Sequence, residues 1–344
     1  MTTPSGQISA NDIKNEFGET GSGQVKLGSY RVNQDVGESG EMPLDTGVPQ
    51  SGQISFNNLR NKKLNVVVNY HSGSTVYRQN ARNHYDAAGG NITYVGGFKS
   101  GNPPSSGEGT KVIIHVNKSI GSEKSDNTNK CALRTGTWAG DAEVKVDVGG
   151  EGRIIGAGGD GGAGDAGATG AGPDRSGTGG TSGLGVEHSG TTVNVRTGGY
   201  ISAGYGGGGG GGGGYDTDKW DDELGSGGGG GGGAGLPGGE GGNGGNGWKA
   251  DGQNGSDGTW NAPGEGGEGG NADNEAIGGD GGEGGSPGEN ANSGGGGSGD
   301  RATGPGGPGG GNGAAVRRTN SGISITYTGE TDNIKGSTNV DGVA

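Results

Sequence analysis

Hydrophobic and polar positions alternate along this chain in short, well-separated stretches. Ala142–Val148 (AEVKVDV) alternates strictly, the pattern of a half-buried strand. Leu64–Tyr70 (LNVVVNY), Asn91–Val95 (NITYV) and Lys111–Val116 (KVIIHV) are β-rich runs bounded by turn residues. Turn clusters separate them, among them Ser100–Gly109 with Pro103-Pro104. Residues 64–149 therefore predict a small β-domain, with Tyr70, Tyr77, Tyr85, Tyr94, Phe98 and Trp138 as candidate core. Further along, Thr191–Arg196 (TTVNVR) before Gly198-Gly199 and Tyr200-Ile201 echoes AEVKVDV-GG-EGRII. Gly322–Thr328 (GISITYT) predicts a strand that closes the region, within a closing segment and tail at 314–344.

The first part of the chain carries an internal duplication. Ser5–Asn15 (SGQISANDIKN) and Ser51–Asn61 (SGQISFNNLRN) share seven of eleven residues. Each copy reads as a strand-like SGQIS running into a short helix, with Ser9 and Ser55 as N-caps. Gly18 is a natural helix stop in the first copy. Units this small do not fold alone, so they are expected to dock on each other or on a partner.

The pattern SGQISxNDIxxEFG, then LGSYR at Leu27–Arg31, then SGQISFxxLRNK, resembles a module near the N-terminus of tailed-bacteriophage virion proteins. Asn58 and Leu59 stand where that family usually has Asp-Phe. The resemblance implies that residues 1–63 attach the chain to other virion proteins. Ile8, Ile13, Phe17, Ile54, Phe56 and Leu59 are the candidate virion-attachment residues. KVIIHVNKSIGS, CALRTGTWAGDAEVKVDVGG and GRIIGAGGDGGAG, spanning about Lys111–Gly164, resemble proteins of the same group.

Composition changes the picture beyond Gly150. The chain has 344 residues, of which 97 are glycine, and most of these lie between Gly150 and Gly313. Ordinary glycine usage is about 7%. Apolar residues make up only 24%, so a conventional core is excluded from much of the chain. The strict collagen period is absent and there are 11 prolines, too few for a triple helix. Shorter blocks do keep a period of three, such as Gly158/161/164/167/170 and Gly235/238/241/244/247. Gly206–Gly214 and Gly227–Gly233 are pure glycine. A three-residue period matches a polyproline-II-like helix, on which GGX leaves two ridges bare for backbone-to-backbone packing. The third ridge carries Glu240, Asn243 and Asn246, or Glu265, Glu268 and Asn271, or Asp280, Glu283 and Ser286, and is expected to face solvent. Residues 150–313 are thus expected to be a polyglycine-II bundle with loops rather than a flexible linker. The region resembles the glycine-rich tip domain of the adhesins on the long tail fibres of T-even-like phages. That resemblance implies architecture and not particular ligand contacts. The expected fold is mainly β and non-canonical, with the duplicated module and β-domain ahead of the bundle.

Non-glycine inserts interrupt the bundle, and they hold Tyr215, Trp220, Trp248 and Trp260. Aromatics on rigid loops either staple turns or serve as binding anchors. These four are the candidate receptor contacts, with both roles open.

The formal net charge of −14 repels phosphate backbones, so nucleic acid is not an expected partner. The lone Cys131 cannot form an internal disulfide and reads as an inert thiol. The N-terminus has neither a basic n-region nor an apolar h-region, and no stretch approaches a membrane span. The expected location is the virion, after synthesis in the host cytoplasm. His71, His84 and His115 lack zinc spacing, and YDTDKWDDE fails the calcium-loop pattern at Trp220 and Asp221. His188, beside Glu187 and Ser189, belongs to no arguable nucleophile–base–acid set. No catalytic, cofactor or metal residue is expected, and the chain is read as a non-enzyme. The function expected is a virion structural protein at a fibre or tail tip, contributing to host recognition. The alternative is a neck, tail or baseplate decoration that binds no receptor. Ice binding is a remote third class, because the X ridge is acidic rather than Thr, Ala or Val. A homo-oligomer is left open.

Overall fold

The computed structural model describes residues 3–17, 24, 27, 48, 49, 52–62, 66–70, 73–86, 92–94, 111–166, 175–217, 222–273, 275–300 and 304–344. Phe98 and His71 lie outside them, as do the side chains of Tyr85 and Tyr94.

The fold is mainly β. Helix α1 (Ala10–Phe17) and a 3-10 turn at Phe56–Leu59 follow the two SGQIS copies. Both are capped as a serine followed by Asp or Asn three residues on allows. Ser9 N–H donates to Asp12 Oδ2 (2.7 Å), and Ser55 N–H donates to Asn58 Oδ1 (2.8 Å). The SGQIS segments themselves form bends, not the expected strands. Their serines are committed to the caps. The ends of the copies are joined instead, through Thr3 N–H to the Lys62 carbonyl (2.8 Å) and Lys62 N–H to Thr3 Oγ1 (2.7 Å).

The chain then winds as a three-sided prism. The first turn supplies β1 (Val66–Tyr70), β2 (Val76–Tyr77) and β3 (Gln79–Asn80), followed by helix α2 (Ala81–Asp86) and an antiparallel edge strand β4 (Ile92–Tyr94). The second supplies β5 (Lys111–Val116), β6 (Ser119–Gly121) and β7 (Cys131–Arg134). The third supplies β8 (Glu143–Val148), β9 (Arg153–Ile155) and β10 (Ser182–Val186). The fourth begins with β11 (Thr191–Val195) and β12 (Tyr200–Ser202). Two hairpins intervene, β13/β14 (Gly214–Thr217, Asp222–Gly225) and β15/β16 (Asn271–Ala272, Ala276–Ile277). The fourth turn then closes with β17 (Val316–Arg318), and the fifth supplies β18 (Ile325–Gly329), β19 (Ile334–Lys335) and β20 (Val340–Asp341). Among the described residues, each turn adds one strand to each of three faces, and successive turns pair in parallel.

Alternation puts apolar columns inside each face. Val68, Ile114, Val146, Val193 and Tyr327 stand in register on the first face. Ile120, Ile154, Ile201 and Ile334 do so on the second, and Leu133, Leu184 and Val316 on the third. All but the last-turn members are fully buried, each contributing about 1.5–3 kcal/mol by removal from water. Tyr70 and Trp138 join the core as expected, but Tyr77 is 46% exposed on the short strand β2 at a sheet edge. At the next position along the first face runs a polar ladder, Asn69, His115, Asp147 and Asn194, of which the first three are buried. Asp147 accepts from Asn194 Nδ2 (2.7 Å) and pairs with Arg196 Nη2 (2.8 Å) and His115 Nδ1 (3.1 Å).

The glycine-rich region grows out of one corner of this prism. In the third and fourth turns the chain leaves after the second strand and returns at the third. The boundaries drawn at 149 and 313 are therefore crossed by strand pairing, since β10 and β17 belong to the same sheet as β7. Between these strands lie ten glycine-rich runs among the described residues: g1 (156–166), g2 (175–181), g3 (203–213), g4 (226–236), g5 (237–247), g6 (250–260), g7 (263–271), g8 (277–286), g9 (290–298) and g10 (304–313). They are joined by backbone hydrogen bonds that recur every third residue. Gly159, Gly162 and Asp165 of g1, for example, donate to Tyr205, Gly208 and Gly211 of g3. The prism ladder passes into these bonds without a break, as Gly156 N–H donates to the Ser202 carbonyl and Gly204 N–H to the Thr181 carbonyl.

The hydrogen bonds define a closed arrangement. Runs g1, g2, g10, g9, g8, g7, g6 and g5 form a ring in that order, each bonded to the next and the last to the first. Runs g3 and g4 fill its centre side by side, each bonded to the other and to five ring members. This explains where the pure-glycine stretches fall. Gly206–Gly213 lies in g3 and Gly227–Gly233 in g4, the two runs with no outward ridge. A Cβ on Gly207, Gly208 or Gly209 would strike a carbonyl of g1, g8 or g10 respectively. Ring runs need glycine on the two ridges that face other runs, and the third ridge of g5, Glu240, Asn243 and Asn246, faces solvent as expected.

Candidate functional site

The ten runs go out from the prism and back, so the bundle has a near and a far end. At about 3.3 Å per extended residue the two are roughly 30 Å apart. The near-end turns are those at 236–238, 260–263 and 286–290. Among the described residues, the far end gathers hairpins β13/β14 and β15/β16, the crossing at 247–250 and the segment 298–300. These four are knitted together. Gly225 bridges Ala250, Ile277 bridges Ser298, and hairpins β13/β14 and β15/β16 pack on each other.

The four aromatic candidates separate between these ends. Trp248, in the 247–250 crossing, is 80% exposed. Tyr215 lies in β13 of the neighbouring hairpin, half-buried. Trp220 lies outside the described residues. Trp260 is at the near end, where its ring meets Tyr200 edge-on (5.9 Å between centroids) and the Arg153 guanidinium lies 4.7 Å from its centre. Both partners belong to prism strands. Of the two roles open to it, these contacts are those of a staple.

At the far end, Asp216 and Glu223 face each other directly across β13/β14. Lys249 Nζ donates to Glu223 Oε1 (2.7 Å). Glu223 is 8% exposed, and its Oε2 is buried without a hydrogen-bond partner. Asp251, Asp273, Glu275 and Asp300 are exposed around this group. The Arg175 guanidinium is committed to Asp165 (3.1 Å) and the Pro305 carbonyl (2.9 Å).

The flank of the bundle shows a distinction the sequence reading missed. Short polar side chains on outer ridges accept amides of the next run. Asp251, Asn254 and Asp257 of g6 accept from Gly247, Gly244 and Gly241 of g5 at 2.8–3.0 Å. Asp280 accepts from Gly269, and Asp160 from Glu240. These side chains therefore pin the register of neighbouring runs while remaining at the solvent-facing surface. A carboxylate or amide one carbon from Cβ can reach a neighbouring N–H, whereas the longer Glu265 stands exposed in solvent. A shallow groove of about 710 Å³ runs over the surface of g7, g8 and g9, lined by Glu265, Asp280 and Glu283.

In the duplicated module, Ile8, Ile13 and Leu59 are buried, in one cluster with the prism core. They hold the module together and are not available to a partner. Ile54 packs against the same cluster. Phe56 is 37% exposed, and the Phe17 side chain lies outside the described set.

The single thiol of Cys131 is buried, and desolvation pushes its pKa up to about 12. His188 is buried and its Nε2 lies 3.0 Å from the Ala142 carbonyl oxygen, a structural contact. Among the described residues no group of three or more His, Cys, Asp or Glu is placed to hold a metal ion, and no helix is long and apolar enough to cross a membrane.

Neither a protein-family model nor a curated protein matches the chain. Among solved structures it is similar to the gp37–gp38 adhesin tip complex of the bacteriophage S16 long tail fibre. That match has a TM-score of 0.36 and 16% identity, and covers 84% of this chain and 87% of the other.

Proposed function

We propose that the chain is a structural protein of a tailed-phage particle that presents the far end of its glycine bundle to the host surface. The observation that carries this reading is the polarity of the molecule. The duplicated module and the prism lie at one end of the bundle, and irregular crossings with an exposed tryptophan lie at the other. A rigid support that holds irregular loops away from its base suits recognition. In this reading the array of runs g1–g10 is a polyglycine-II bundle. Its support is the three-residue hydrogen-bond period and the glycine content of the two central runs. The module at 1–63 attaches to other virion proteins, Phe56 being its exposed apolar candidate. The role is one of binding and structure, without a catalytic step.

The test has two parts. The protein should co-purify with washed virions at fixed stoichiometry, and purified protein should bind host cells and slow phage adsorption. Absence from washed particles would end the virion reading. Presence on particles with no binding to cells would leave a neck, tail or baseplate decoration in its place.

A further inference from the structure

We propose that Asn243 and Asn246, on the outer ridge of g5, are sites of spontaneous deamidation, and that Asn254 and Asp251 of g6 gate them. Both sites lie on the flank of the bundle and react independently of what the far end recognises.

Asparagine followed by glycine is the junction at which a chain most readily attacks itself. The glycine nitrogen can approach the asparagine side chain because the second residue has no Cβ to obstruct it. A hydrogen bond from that glycine N–H opposes the attack, since it holds the proton and turns the nitrogen away. The bundle contains eight Asn–Gly or Asp–Gly junctions. In six of them the glycine N–H donates to a backbone carbonyl of another run. Gly255 donates to Gly242 (2.9 Å) and Gly313 to Gly204 (2.8 Å). Gly161, Gly252, Gly258 and Gly281, each after an aspartate, donate to the carbonyls of Glu240, Gly245, Gly239 and Gly267. Such an acceptor moves only if its whole run moves.

The junctions at Asn243 and Asn246 differ. Gly244 N–H donates to Asn254 Oδ1 (2.8 Å) and Gly247 N–H to Asp251 Oδ1 (3.0 Å). Asn254 and Asp251 are exposed, and a side chain on the surface turns away by rotation about its own bonds, far faster than packed backbone rearranges. The attacked side chains differ as well. Asn312 accepts from Gly206 N–H (3.0 Å) and donates to Asn290 Oδ1 (2.8 Å). Asn243 and Asn246 are exposed, and among the described residues no hydrogen bond holds their side chains.

When Asn254 swings out, the Gly244 nitrogen attacks Cγ of Asn243. The N–Cγ bond forms, the Cγ–Nδ2 bond breaks, and Nδ2 leaves as ammonia with the proton from Gly244. Water then opens the cyclic imide. Opening at Cγ gives aspartate, and opening at the main-chain carbonyl gives the β-linked isomer. The β-linked form adds one carbon to the backbone of g5. It also converts the Asn243 carbonyl, which accepts from Gly164 N–H of g1 (2.8 Å), into a carboxylate. The three-residue register is broken at that seam.

The test holds the full-length protein at mildly alkaline pH and digests it in mild acid. Mass spectrometry then follows the exchange of amide for carboxyl at each of the four Asn–Gly junctions, with the same protein in urea as reference. In the folded protein Asn243 and Asn246 should react at least fivefold faster than Asn254 and Asn312, and in urea all four within twofold of one another. Asn254→Ala should speed Asn243 at least threefold and change Asn246 less than twofold. Asp251→Ala should do the reverse. Asn254→Asp, which keeps the acceptor oxygen, should leave Asn243 at its wild-type rate. Equal rates at all four junctions of the folded protein would overturn the proposal. So would intact Asn243 and Asn246 after a time that exhausts the sample in urea. Acceleration of both sites by either alanine variant would show general loosening of the flank and remove the gates.

Discussion

The amide of Gly208 donates to the carbonyl of Gly231 at 2.8 Å, joining the two central runs of the bundle, g3 and g4. Neither residue has space for a side chain. A Cβ on Gly208 would strike the carbonyl of Gly282, and one on Gly231 the carbonyl of Gly264. Backbone takes the place of an aliphatic core here, and stability comes from amides and carbonyls that find one another in a region closed to water.

Substitutions at the centre should therefore behave as overpacking mutations. Gly230→Ala sets a methyl against the Gly208 carbonyl and should destabilise by about 3 kcal/mol. Asn243→Ala, on the solvent ridge of g5, should stay within about 0.5 kcal/mol. Urea melts of the two variants check this, and equal effects would show that the runs are not packed as described.

Removing a register pin should cost one hydrogen bond. Asn254→Ala frees the Gly244 amide and should destabilise by about 1 kcal/mol, with faster hydrogen exchange at Gly244. Glu265→Ala should do neither. Unchanged exchange at Gly244 in Asn254→Ala would mean that the side chain does not hold the register.

Acid should weaken the prism through Asp147. Burial alone would raise its pKa, but hydrogen bonds from His115, Arg196 and Asn194 and the charge of Arg196 bring it down to about 2. A carboxyl with a depressed folded-state pKa stabilises the fold above its unfolded pKa of about 4 and loses that contribution as pH falls toward 2. The window is thus about pH 4 to 2, and the loss is on the order of 2 kcal/mol. Denaturant melts of wild type and Asp147→Asn across that window provide the check. Parallel pH profiles would assign the acid sensitivity to other carboxyls.

The two ends of the bundle should respond differently to loss of an indole. Trp260→Ala removes the contacts with Tyr200 and Arg153 and should destabilise by about 1–3 kcal/mol, leaving binding at the far end intact. Trp248→Ala should leave the melting curve unchanged and weaken binding. Melting and host-cell binding on both variants decide it, and a matched loss of stability would place Trp248 among the staples.

The strands were legible because alternation is local. AEVKVDV and TTVNVR form β8 and β11 close to the positions their patterns mark. SGQIS forms no strand because its second serine caps the following helical turn, and the two copies are joined at Thr3 and Lys62 outside the motif. The interleaving of bundle and prism was not legible. It depends on β10 pairing with β17, whose residues lie about 130 positions apart in the chain. The pure-glycine stretches were visible as composition, but their central place follows only from the ring around them. The contrast between Asp160 or Asn254 and Glu265 was present in the sequence, in side-chain length. Without the neighbouring run there was no amide for that length to be measured against.

The closed ring also sets a rule for how such a molecule can change. Adding one three-residue step to a single run would leave its new amides facing nothing. Lengthening the bundle requires the same step in all ten runs at once, which point mutation and small insertions do not supply. The crossings carry no such constraint, since the ring closes through the runs alone. Variation is thereby channelled to the far end, and the length of the support stays frozen while its surface diversifies.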